Sequence, residues 1–328
     1  MNDLYPLKFK PIFKDKIWGG QKVKTVLGMD FAPLANCGEV WVLSGVEGFE
    51  SVVSNGFLAG NSLNELVEVY MYDLVGEENY KRFKDEFPVL IKFIDANDWL
   101  SIQVHPDDDL AQKRKIGRGK TEMWYVMAAD PGAELISGFS SKQTQNSYLN
   151  HLESNKIKEI MNFEKVKKGD VFFMPAGRVH ALGPGIFLAE IQETSDTTYR
   201  IYDWDRLDEK GNSRELHTKE ALDALDFNVY EEYKTHYSKK NNASVNLETC
   251  KHFTTNFIHI SSKSLSKDLE NLDSFVAYIC LQGSCELIYE NGKENIIKGD
   301  TVVVPAMLEN IVLNPLEETE LLEVFISE

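Results

Sequence analysis

Two segments of this chain are near-copies of one another, and that repeat constrains the fold more than any other feature. GDVFFMPAGRVHAL begins at Gly169 and GDTVVVPAMLENIVL at Gly299, 130 positions later. Both run Gly-Asp, four β-prone residues, then Pro-Ala. Gly-Asp suits a tight turn, the β-branched or aromatic run suits a strand, and the proline ends it. Upstream, PGAELISG and GSCELIYE match in the same way. A unit that recurs at this distance predicts two similar β-barrels. The polar stretch EEYKTHYSKKNNASVNLETC, 231–250, is the natural linker, which predicts units over residues 1–235 and 236–328.

Three stretches read as helix: 62–76 with NYKRFKDEF after it, 147–163 and 214–225. Ser62, three residues before Glu65, forms a capping box. The remainder is short, β-branched or aromatic, with a hairpin turn at ENGK. The expected class is mostly β, with a few helices inserted around the first barrel.

Differences between the two copies carry the chemistry. Gly169, Pro175, Gly177 and His180 follow the spacing of the second motif of the cupin superfamily, which it resembles; cupins are double-stranded β-helix barrels of jelly-roll type. In the second copy Asn310 stands in place of His180 and Met307 in place of Gly177. A residue required by the fold would be kept in both, so His180 reads as a ligand. In LSIQVHPDD, 100–108, strand alternation puts Leu100, Ile102 and Val104 on one side and Ser101, Gln103 and His105 on the other. GKTEMWYV adds Glu122, with Lys120 on the same side. Two imidazoles and a carboxylate from separate strands are a divalent-metal set, and Gln103 offers a fourth, neutral oxygen.

A formal net charge of −17 argues against nucleic acid or an anionic membrane as partner. Basic residues concentrate once, in KRKIGRGK at 113–120, which reads either as a solvated loop or as a site for something negative. No apolar run approaches the roughly 20 residues that span a bilayer. With no signal-like N-terminus and four scattered cysteines, the expected location is the cytoplasm.

Taken together, SIQVHPDD, GKTEMWYV, PAGRVHALGPG and AEIQETSDTTYRIYDWDR, with IWGG (17–20) and GEVW (38–41), resemble the type I mannose-6-phosphate isomerases. These are zinc-dependent cupin enzymes that interconvert mannose 6-phosphate and fructose 6-phosphate through a cis-enediol. The resemblance implies one Zn2+ on Gln103, His105, Glu122 and His180, and an essential Arg200 with Asp196 as its acidic neighbour. It also implies that Ser101 and Lys120 contact a phosphosugar substrate. Only 58 positions separate Glu122 from His180, as in the short bacterial form. Trp18, Glu39 and Trp41 are expected to pack the first barrel's edge.

Arg200 keeps its proton at working pH and is a poor base. Lys120, Asp196 and a metal-bound water therefore stand as alternative proton carriers. Two other functions fit the same residues. His105, Glu122 and His180 would also serve a non-haem Fe(II) cupin oxygenase, although Gln103 would occupy a position such an enzyme keeps open. A non-catalytic sugar-binding cupin is the other. Oligomeric state is not specified by the sequence.

Overall fold

The computed structural model describes residues 4–207 and 211–327. Its strands fall into four antiparallel sheets. The largest has seven, in the order Lys234–Thr235, Val171–Met174, Glu122–Ala129, Ile186–Glu193, Val89–Ala96, Glu39–Leu43 and Ile12–Lys14. Five more make a second sheet: Tyr199–Tyr202, Ile102–Val104, His180–Leu182, Glu134–Phe139 and Met161–Lys165. A six-stranded sheet runs Leu7–Lys8, Thr301–Val304, Val276–Gln282, Thr319–Phe325, Thr254–Ile260 and Ala243–Thr249. Leu265–Asp268, Asn310–Pro315, Ser284–Tyr289 and Gly292–Ile297 form the four-stranded sheet.

No sheet closes on itself among the described residues, so the expected pair of cupin barrels is not what the chain forms. It is a mixed fold of helices and open antiparallel sheets. Closure needs edge strands long enough to pair with each other. Here the edges include the two-residue strands Lys234–Thr235 and Leu7–Lys8. Each sheet instead covers its apolar side with another sheet.

The burial pattern shows how these layers stack. Trp124, Val126, Phe172 and Leu188 of the seven-stranded sheet share one cluster with Leu135 and Leu182 of the five-stranded sheet. The opposite face of the seven-stranded sheet presents Phe93, Tyr125, Phe187 and Ile191. These pack against Phe257, Ile279, Val303 and Leu322 of the six-stranded sheet. That sheet's other face, with Tyr278 and Val302, meets Leu287 and Leu313 of the four-stranded one. Alternation on each strand thus feeds two cores, which is why Val89–Ala96 and Ile186–Glu193 are buried along their whole length.

The repeat is structural as well as sequential. Val171–Met174 and Thr301–Val304 lie in the two larger sheets, and His180–Leu182 and Asn310–Pro315 in the two smaller ones. The hairpin at ENGK forms, with Tyr289 opposite Gly292. Ser62 and Glu65 make the capping box at the start of helix Leu63–Tyr70, followed by Tyr72–Val75 and Glu77–Phe83.

Three local expectations change. The helix expected over 147–163 covers Gln145–Glu153, and Met161–Lys165 is an edge strand on the five-stranded sheet. The Asn155 turn, at φ 56, breaks the helix before that. The proposed linker 231–250 carries two strands, Lys234–Thr235 and Ala243–Thr249. Leu100 precedes the strand Ile102–Val104 and joins the cluster around Trp124, whereas Ile102 and Val104 face the helices outside the five-stranded sheet.

Candidate active site

The strand Ile102–Val104 is short but central, because Gln103 stands opposite both His180 and Arg200 on its two neighbours. Glu122 opens its strand on the same face as Trp124, the face turned toward the five-stranded sheet. The two sheets therefore bring Gln103, His105, Glu122 and His180 to one point between them. Glu122 Oε1 lies 3.3 Å from His180 Nε2, and Glu122 Oε2 lies 3.6 Å from His105 Nε2. Gln103 Nε2 lies 3.3 Å from His180 Nε2. Gln103 and His180 line a cavity of about 270 Å³, together with Ser101, Lys120, Asp196 and Arg200, and His105 and Glu122 are buried beside them.

Each imidazole is oriented from behind. His105 Nδ1 is 2.9 Å from the Thr197 carbonyl and His180 Nδ1 is 2.8 Å from that of Arg178. Donation from Nδ1–H leaves the Nε2 lone pair facing Glu122. Burial holds both rings below their usual pKa: His105 well below, with the Lys120 ammonium adding to the effect, and His180 at about 4. Both are neutral near pH 7.

Two lone pairs and a carboxylate thus converge where water is excluded. Both Glu122 oxygens are buried without a hydrogen-bond partner. Such a set needs positive charge beside it, and here the Lys120 ammonium supplies part of it. His105, Glu122 and His180 each offer a donor atom, all within 4.8 Å of one another, and can hold a divalent metal. Gln103 can add its amide oxygen once the amide turns over, since Nε2 faces His180 here and Oε1 accepts from Ser101 at 3.3 Å. Lys120 is buried beside the group, its Nζ 3.2 Å from Glu122 Oε2 and 3.1 Å from His105 Nε2.

Other expected residues have different settings. Arg200 lines the cavity, gives Nη1 to the Glu215 carbonyl at 2.8 Å, and keeps a buried Nε without a partner. Asp196 is exposed at the cavity rim, and no ion pair joins it to Arg200 among the described residues. Of the basic run, only Lys120 reaches the cavity. Arg114 pairs with Asp223 at 2.7 Å and Arg118 with Glu86 at 2.5 Å.

Five charged lining residues were not anticipated in a functional role: Glu190, Lys92, Arg214, Lys16 and Glu39. Glu190 is buried, accepts on Oε2 from the Trp124 indole N–H at 3.0 Å, and has Lys92 Nζ 3.3 Å from Oε1. Burial, then the negative charge of Glu122, pushes its carboxyl above the usual range. The sequence signal for the first two was a charge inside a largely apolar strand, Glu190 in IFLAEIQE and Lys92 in VLIKFIDA. The third, Arg214, lines the same cavity and forks onto Asp203.

Residues 6–161 match the profile described as phosphomannose isomerase type I, catalytic domain. Mannose-6-phosphate isomerase ManA of Bacillus subtilis is 35% identical over 92% of this chain and 93% of its own length. The chain belongs to the type I mannose-6-phosphate isomerases. Mannose-6-phosphate isomerase of Streptococcus mutans is 40% identical over 67% of each chain. Among solved structures, the mannose 6-phosphate isomerase from Bacillus subtilis superposes with a TM-score of 0.87 at 30% identity, covering 97% of this chain and 99% of that one. This type I isomerase is therefore a sugar-phosphate isomerase with a candidate divalent-metal site in its cavity. No helix among the described residues is long and apolar enough to cross a membrane.

Proposed function

We propose that the cavity is a zinc centre at which mannose 6-phosphate and fructose 6-phosphate are interconverted, with Gln103, His105, Glu122 and His180 as the metal donors. The observation that carries this is the dry Glu122 carboxylate facing two imidazoles whose other nitrogens are engaged by carbonyls. Three neutral donors and one carboxylate suit zinc. When bound, zinc supplies Lewis acidity toward the sugar's carbonyl and hydroxyl oxygens.

The chain's own groups then divide the remaining work. Glu190 carries the proton between C1 and C2. It is a carboxylate of the cavity wall, shielded from water, and its raised pKa brings it closer to a base poised for working pH. Lys92 keeps it ionised in the resting state. Lys120 and Arg200 place positive charge where the enediolate develops, and Arg200 stays protonated throughout. Ser101 positions the sugar through its hydroxyl. Arg214 adds a further cation to the cavity lining for the phosphate. Asp196, at the exposed rim, orients substrate entry rather than moving the proton.

The division into residues 1–235 and 236–328 is proposed on sheet membership. The seven- and five-stranded sheets draw on residues up to Thr235, and the other two on Ala243–Phe325 apart from Leu7–Lys8. A cytoplasmic setting is supported by four cysteines that all stay free, three of them buried.

The test is a coupled assay with mannose 6-phosphate before and after chelation. Activity should disappear with the metal and return on adding zinc in a one-to-one ratio. Full activity in metal-free protein would overturn the reading.

A further inference from the structure

A second group of titratable side chains lies outside the cavity, where the two halves of the chain meet. Glu193 ends the strand Ile186–Glu193 and is buried. Its backbone N–H donates to the Thr121 carbonyl at 3.1 Å, and its Oε1 accepts from the Thr121 N–H at 2.8 Å. Thr121 is thus gripped on both sides, and it stands between Lys120 and Glu122. The other Glu193 oxygen, Oε2, lies 2.8 Å from His252 Nδ1. His252 is buried and belongs to the turn between Ala243–Thr249 and Thr254–Ile260, two strands of the six-stranded sheet. Asp108 completes the group, with Oδ1 on the Gly119 N–H at 3.0 Å and Oδ2 3.3 Å from Lys251 Nζ.

We infer that Glu193 and His252 are positioning residues: a latch by which the C-terminal half fixes the strand start that carries Lys120 and Glu122. The inference rests on the metal-centre reading for those two residues. His105 and His180 are each held from behind by a backbone carbonyl, whereas Glu122 has no hydrogen-bond partner and pairs only with Lys120, whose Nζ is 3.2 Å from Oε2. Glu122 and Lys120 flank Thr121, so the aim of the pair depends on the backbone that Glu193 grips. Without His252, Glu193 Oε2 would be a buried carboxylate oxygen lacking its counterpart. The side chain would gain by turning toward water and releasing Thr121.

Asp108, Glu193 and His252 also bring three potential metal donors within 4.8 Å. The Thr121 and Gly119 N–H groups and the Lys251 ammonium already point at those carboxylates. The group is lined by donors of positive polarity, which favours a latch over a cation site.

The test uses the full-length chain with His252→Leu, which removes the ring nitrogens, and His252→Asn, which restores a nitrogen near the position of Nδ1. Hydrogen exchange of the peptide carrying Thr121 is read beside exchange of the strand Val276–Gln282. In His252→Leu the Thr121 peptide should exchange about tenfold faster with the distant strand unchanged. Zinc affinity, from chelator competition, should fall about tenfold. kcat should fall by about the same factor with KM within about twofold, as expected for lost positioning. His252→Asn should recover most of each.

Unchanged exchange at Thr121, or no recovery in His252→Asn, overturns the latch. So does a second equivalent of bound zinc that disappears with His252. If His252→Leu fails to fold, Glu193→Gln keeps the Thr121 bond without the charge. Its exchange should rise in the same direction by a smaller factor, and no rise overturns the latch. Because exchange is read without metal, failure of the latch is distinguishable from a wild-type chain that binds no zinc, which sinks the metal-centre reading instead.

Discussion

Glu190 and Glu39 are both acidic residues of the cavity wall whose neighbours push their titration in opposite directions. Glu190 is raised by burial and by the nearby Glu122 charge. Glu190→Gln keeps the shape and the Trp124 contact but cannot carry a proton. It should lower kcat by about 10²–10⁴-fold with zinc content unchanged, measured by the coupled assay and metal analysis. For Glu39, burial alone acts upward, but Lys92, Lys16 and the Trp41 indole outweigh it and hold the carboxyl at about 2. A carboxyl depressed in the folded state contributes stability that is complete above its ordinary pKa of 4.5 and is lost as pH falls toward about 2. The urea midpoint of the wild type should therefore drop more steeply over that interval than that of Glu39→Gln. Parallel slopes would remove Glu39 from the account of acid sensitivity.

Helix and strand signals were unevenly readable. The Ser62–Glu65 box is local, made between side chain and backbone within one turn, and it forms as its three-residue spacing implies. Ser62→Ala should cost about 1 kcal/mol, seen as a lower urea midpoint, and should leave kcat unchanged because that helix does not line the cavity. Met161–Lys165 was hidden because its helix-compatible residues become an edge strand only through pairing with Glu134–Phe139. The proximity of Gln103, Glu122 and His180 was legible because each sits at a fixed step on a strand, with His105 directly after one, and period-two alternation fixes which way such residues point. Glu190 and Lys92 were not, since a charge inside an apolar strand acquires meaning only when register places the two opposite each other. Likewise, the repeat announced recurring strands correctly but not whether their sheets would close. Closure depends on edge length and on what covers each face, neither of which is a local property.

The scale of the whole molecule is set by the core between the seven- and six-stranded sheets. Leu7–Lys8, near the start of the chain, pairs with Thr301–Val304, and Phe93, Tyr125 and Phe187 lie under residues from beyond position 250. A chain ending at residue 235 should therefore expose that apolar face and associate, with light scattering reporting aggregates rather than a monomer. A monomeric, thermally cooperative fragment would contradict this account of the core. Position within the chain and position within the fold are thus decoupled for the first strand: Leu7 faces Val303. During synthesis that strand leaves the ribosome long before Thr301–Val304 and stays without its neighbour until those residues emerge. Closing the largest loop of the molecule is consequently a late event, and substitutions in Leu7 or Val303 should slow maturation more than they alter catalysis.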